Sequence, residues 1–149
     1  MYAFILAVHN ILRWIVLLLL VIALIRSFWG WFGKREWTST DRQLGMFYSV
    51  SLDIQLLLGL LLYFVLSPIT KFVFSDFGAA MANSDLRFFA LEHLLMMVLA
   101  VIFAHIGVAS AKRVEESTIK YRRIAIWFTL SLLAILLGMP WFRPLLPGF

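Results

Sequence analysis

The 149-residue sequence has no cysteine, and only 14% of its residues are Asp, Glu, Lys or Arg. Without cysteine there is no disulfide framework, zinc–thiolate site or thiol nucleophile. Also missing are a Ser–His–Asp arrangement, a glycine-rich phosphate loop and a carboxylate-rich metal cluster. Charge this sparse excludes a disordered chain, which combines high charge with few apolar residues. A soluble domain is about 25% charged and about 45–50% apolar. Here 63% of residues are apolar and the mean hydropathy is +0.95. A globule of this length cannot hide that much apolar surface, so the bilayer must cover it.

A membrane-crossing helix needs about 20 mostly apolar residues. Four stretches meet this, near 4–29, 44–66, 88–111 and 124–142, with Pro140 expected to end or kink the fourth. The first lacks the basic flank and small-residue cleavage site of a signal peptide and is expected to be retained. No repeat, low-complexity tract or linker separates the spans. The sequence therefore predicts an all-α integral membrane protein, a four-helix up-down bundle in one domain over 1–149. Segment 67–87 is too interrupted to span, and Phe72, Val73, Phe74 and Phe77 predict a short piece lying on the membrane surface.

The basic residues set the expected orientation. Nine of thirteen lie in or beside two connections: Arg26, Lys34, Arg35 and Arg42, then Lys112, Arg113, Lys120, Arg122 and Arg123. The other side has Lys71, Arg87 and Arg143, and Arg13 lies within a span. Both termini are thus expected to be extracytoplasmic and the basic loops cytoplasmic, in a cell inner membrane. The loops read as topology signals and contacts with anionic lipid rather than as a nucleic-acid surface. Trp29, Trp31, Trp37 and Trp141 suit interfacial belts.

Ionisable groups inside spans are costly and are the default functional candidates. Span one carries His9 and Arg13, span two Asp53 and Gln55, span three Glu92, His93 and His105, and span four none. At about 1.5 Å per residue, His9 and His93 both sit roughly 8 Å below the outer surface. Arg13 shares the face of His9 one turn deeper, and Asp53 reaches that depth from the other side, so an Arg13–Asp53 pair is expected, with Gln55 and Glu92 as further buried polar groups. His105 lies twelve residues beyond His93, near the inner surface, with no second histidine at its depth.

Three functions suit these residues. Spans one and three of an up-down bundle lie diagonally, so His9 and His93 could clamp a b-type heme iron, with Arg13 facing a propionate. Alternatively, Arg13, Asp53, Gln55, Glu92 and the histidines form a proton or ion path, although residues two apart on a helix cannot both face the axis. A third reading is an accessory subunit or assembly factor without chemistry of its own. The small residues Gly45, Ser49, Gly59, Ala104, Gly107 and Gly138 allow close helix contacts, whether within one bundle, in a homo-oligomer or in a larger redox complex. Met96 and Met97 read as core packing rather than as sulfur ligands.

The stretches LAVHNILRW (6–14), LDIQLLLGLLLY (52–63), RFFALEH (87–93), AHIGVASAKR (104–113) and MPWFRP (139–144) touch all four spans. In these the chain resembles small four-helix bacterial membrane proteins labelled cytochrome b-like, which implies heme b and electron transfer. It is more faintly similar to the four-helix heme-binding protoporphyrinogen oxidases. That likeness implies a histidine early in span one and another late in span three, here His9 and His105. It departs at His93, where that family carries a lysine, and in its first-span motif.

Because the chain lacks cysteine, one placed at Glu115 reports its own side of the membrane. An impermeant thiol reagent added to intact cells should leave Glu115→Cys unlabelled. Labelling from the periplasmic side overturns the expected orientation.

Overall fold

In the computed structural model, which describes residues 1–143, every regular element is helical. Pro144, which closes the MPWFRP stretch, and the rest of the 1–149 domain lie outside the described residues. Helix α1 is Tyr2–Phe32, and α2 is Ser39–Leu61, prolonged by a wide π-type turn at Leu62–Leu66. Next come two short helices, α3 (Pro68–Ser75) and α4 (Phe77–Ala82). Then α5 (Ser84–Arg87) runs through a second π-type turn, Phe88–Glu92, into α6 (His93–Lys112). Helix α7 is Ser117–Gly138. Four of the resulting rods, Tyr2–Phe32, Ser39–Leu66, Ser84–Lys112 and Ser117–Gly138, are long and apolar enough to cross a membrane.

The fourth rod stops just before Pro140, as the sequence predicts. It ends at Gly138, so residues 139–142 are not helical. A proline disfavours the helical conformation of the residue before it. Met139 accordingly turns extended, at φ −77° and ψ 133°. The 67–87 segment differs from expectation in one detail. Phe72, Phe74 and Phe77 are exposed, but Val73 points inward and packs with Ala80 and Ala90.

Helix α1 packs against α2 and α7, and α6 packs against the same two. That leaves α1 and α6 on a diagonal. The shared core holds Leu20, Tyr48, Ala104 and Phe128, all with no exposed surface. Outward-facing residues are just as apolar: Leu18, Leu57 and Leu137 are each more than half exposed. Such a surface suits hydrocarbon, where helix contacts rest on close packing rather than on the hydrophobic effect. The small residues serve contacts within the chain, since Gly45 faces Val108 and Phe128, and Gly107 faces Trp127 and Phe128.

Hydroxyls inside the rods find partners locally. Ser27, Ser49 and Thr129 each donate to the carbonyl four residues back. Ser131 donates to Ala100 O at 2.7 Å, so Tyr48, whose hydroxyl meets Ser131, must be the donor in that contact.

At the end where α2 begins, Asp41 joins three helices. It accepts from Arg26 Nε of α1 and from Tyr121 Oη of α7, both at 2.7 Å, and closes a capping box with Thr38. Trp37, expected in an interfacial belt, stacks obliquely on Tyr121 at 4.8 Å, and its N–H donates to Ser117 Oγ. Removing Asp41 leaves the buried Tyr121 hydroxyl only Glu36 O, at 3.0 Å, as acceptor and takes the carboxylate from Arg26 and Thr38. Asp41→Ala should therefore cost about 1–3 kcal/mol, read as a lower thermal midpoint of tryptophan fluorescence in detergent. An unchanged midpoint contradicts this three-helix tie.

Candidate cofactor site

His9 lies about two turns into α1, and His93 is the first residue of α6. Their rings meet across the diagonal with centres 6.4 Å apart and planes at 67°. The two wide turns set this end of the bundle. In the first, Ser67 N–H reaches back five residues to Leu62 O at 2.8 Å. Such a turn rotates the helix on one side of it relative to the helix on the other, and turns of this kind recur at functional sites. One of them leads directly into His93. The other carries Tyr63, whose hydroxyl donates to Ala90 O of the opposite turn at 2.9 Å. Thr70 closes the group by donating to Tyr63 O at 2.6 Å.

The ring of His93 is held in one sense. Its Nδ1 lies 2.6 Å from Gly138 O, and a carbonyl can only accept, so Nδ1 carries the proton. In the neutral imidazole that leaves the lone pair on Nε2. A histidine oriented through one nitrogen by a carbonyl is the usual state of a metal-ligating imidazole. Gly138 permits the approach, since a Cβ there would stand 2.6 Å from Met97 Cε and 2.7 Å from Met96 Cβ.

His9 is the less satisfied partner. Its Nδ1 is buried and makes no hydrogen bond among the described residues. Its carbonyl accepts from Gln55 Nε2 at 2.9 Å, and Gln55 Oε1 is likewise buried without a partner. Gly59 leaves room for the ring, where a Cβ would come to 3.3 Å from His9 Cε1.

Three cavities meet at the pair. The largest, about 460 Å³, runs from Tyr2 and Leu6 of α1 past Asn10 and Arg13 to Tyr63, Thr70 and Arg143. Two smaller ones, about 40 and 30 Å³, lie toward Leu56 and Val101 and toward Val16 and Ile135. His9 and His93 line all three, and no other residue does. Both imidazoles therefore border empty space on more than one side. Phe88 and Phe89 each stand 6.0 Å from the His93 ring, and Phe142 packs on both phenylalanines. The Arg143 guanidinium lies 4.7 Å over Phe89.

Arg13 lines two of the cavities, with its guanidinium 5.7 Å from the Trp14 ring. Gln55 is buried at the pair. Asp53 does not meet Arg13 as expected: its Oδ1 lies 2.9 Å from His105 Nε2. Residues two positions apart on a helix are turned about 200° from each other, so with Gln55 facing inward Asp53 must face away. Glu92 is also less buried than expected, with a half-exposed side chain 2.9 Å from Arg87 Nε. His105 is exposed and lines none of the three cavities. Tyr63, Thr70, Asn10, Arg143 and the Gly138 carbonyl complete the site, although the sequence alone did not mark them. Tyr63 was findable as a polar group near the end of span two, whereas a backbone carbonyl leaves no sequence signal.

The chain matches no protein-family model, no curated protein and no solved structure. The site itself is then the test of what it can hold. Among the described residues no group of three or more His, Cys, Asp or Glu could hold a bare metal ion. Two imidazoles suffice for an iron whose other four positions a macrocycle supplies. With metal–nitrogen bonds of about 2 Å, two imidazoles on opposite sides of one metal put their ring centres roughly 6 Å apart. The observed 6.4 Å fits that arrangement. A cavity of about 460 Å³ is within the range of small-molecule sites.

The tautomer of His93 can be read without any ligand. Nitrogen-15 spectra of the histidines should show the His93 proton on Nδ1 and the lone pair on Nε2. A proton on Nε2 contradicts the Gly138 tie.

Proposed function

We propose that this chain is a heme-binding, cytochrome b-like protein of a bacterial inner membrane that passes electrons, with His9 and His93 as the two axial ligands of one heme b. The observation that carries this reading is the cross-diagonal pair. Two imidazoles from different rods are 6.4 Å apart, one already fixed through Nδ1, and both border the large cavity. The heme supplies one-electron chemistry, and two axial imidazoles close the iron to other ligands, which favours electron transfer over gas binding.

The protein's own part is to hold and orient. Gly138 O fixes the His93 ring, and Gly59 admits that of His9. When His9 binds through Nε2, its Nδ1–H needs an acceptor, and Gln55 Oε1 is the buried acceptor beside it that has none. Hydrogen bonds of this kind raise the basicity of a ligating imidazole. Arg13 and Arg143 line the large cavity, where guanidinium groups suit the forked carboxylates of a porphyrin edge. Phe88 and Phe89 pack beside the His93 ring, and Phe142 packs on both.

The distribution of Lys and Arg supports an orientation with both termini outside, and so a site in the outer half of the membrane. The membrane polar groups form two separate sets, one around His9 and His93 and one at Asp53 and His105. That separation favours a cofactor site over a continuous proton or ion file.

The purified protein, expressed with ample heme, should show a Soret band and a sharp α-band on reduction. His9→Ala or His93→Ala should remove both bands, and His105→Ala should leave them nearly intact. A colourless wild type defeats the proposal and moves the accessory-subunit reading ahead. Loss of the bands only in His105→Ala would make the likeness to the porphyrin-oxidising family the better guide.

A further inference from the structure

The Asp53–His105 pair takes no part in the cofactor site, yet it is an ionisable pair on an otherwise apolar face of the bundle. It lies on α2 and α6, and His105 is about 10 Å along its helix from the Lys112 end, by the 1.5 Å rise per residue. Its side chains are 39% and 53% exposed, so the pair faces outward from the bundle at membrane depth. The surrounding surface is apolar: Val50, Ile54 and Leu57 on α2, and Ile102 and Ile106 on α6, are all exposed. An ionisable pair inside a bilayer normally faces a protein interior or a water-filled cavity. Among the described residues nothing covers its outer side.

The pair is self-complementary. His105 Nε2 meets Asp53 Oδ1, which leaves His105 Nδ1 and Asp53 Oδ2 without a hydrogen bond among the described residues. The pair thus keeps one ring nitrogen and one carboxylate oxygen on its outer side. Any second copy of the chain inserts with the same orientation, because the same basic loops direct it. Its pair therefore sits at the same depth. A two-fold axis along the membrane normal would bring the ring nitrogen of each copy to the carboxylate oxygen of the other, as an isologous contact requires. The glycines that could otherwise mark a helix-association face are used within the chain.

We propose that the α2–α6 face centred on Asp53 and His105 is the contact between two copies of this chain, with His105 Nδ1 of each copy donating to the Asp53 carboxylate of the other. In the resulting ring the polar atoms of the two pairs answer one another and are shielded from lipid. Apolar residues around it exclude hydrocarbon and complete the contact. This inference does not depend on the heme reading.

The cysteine-free sequence makes the test direct. In native membranes, oxidation of Ile54→Cys should give a covalent species of twice the chain mass. Leu18→Cys, on α1 away from this face, should give none. In the Ile54→Cys background, Asp53→Leu with His105→Leu should reduce the cross-linked fraction to the level of the Leu18→Cys control, with helicity unchanged by circular dichroism. Because Ile54→Cys keeps the native pair, its result stands even if the double replacement fails to fold. Three outcomes overturn the proposal: no cross-link from Ile54→Cys, a cross-link that survives loss of the pair, or one to a protein of different mass.

Discussion

In hydrocarbon a polar group has no water to turn to, so each one must be answered by the protein itself or by something the protein binds. Most of this molecule obeys that constraint by short-range means. Ser27, Ser49 and Thr129 return their protons to their own helices, and Tyr48, Ser131 and Ala100 O form a chain across three rods. Asp41 gathers Arg26, Tyr121 and Thr38 at the far end. Against that background His9 Nδ1, Gln55 Oε1 and Glu92 Oε2 are buried without a partner among the described residues, and the first two belong to residues that line the same cavities. An unsatisfied polar group inside a membrane is worth several kcal/mol, so the fold retains these two against a real cost. A bound group that occupies the cavity and draws on His9 gives the cost a reason.

The rods that hold the site are built to resist adjustment. Helices α6 and α7 come close through Gly107 and Gly138, whose positions leave no room for a methyl group without displacing Trp127, Phe128, Met96 or Met97. That closeness brings Gly138 O to His93. On the opposite wall Gly59 lets α2 pass close to His9. The wide turns at Leu62–Leu66 and Phe88–Glu92, linked by Tyr63 and Ala90, lock the two sides at the same level. Side-chain geometry here comes from helix packing rather than from a loop, which would suit the proposed electron-transfer role.

Much of this was legible in the sequence. Hydropathy located four spans, and the helical rise placed His9 and His93 at one depth before their contact was seen. Side-chain direction was harder to read. Asp53 matched Arg13 in depth but not in face, because the inward direction on α2 belongs to Gln55, and so Asp53 turned to His105. Glu92 fell in a wide turn, where the 3.6-residue period on which facing was judged no longer holds. The fourth span stopped at Gly138 because Pro140 outweighed the apolar run beyond it. The Gly138 carbonyl, the partner that orients His93, is a backbone group and has no letter in the sequence.

Under the proposal, His9 and His93 would both hold one iron, and their rings stand at 67° to each other. Low-temperature electron paramagnetic resonance of the oxidised, heme-loaded protein reads this directly. Two crossed imidazoles predict low-spin ferric iron with a strongly anisotropic signal, in keeping with the 67° between the rings. A high-spin signal, a low-spin signal of parallel rings, or no iron signal from protein supplied with heme contradicts the account.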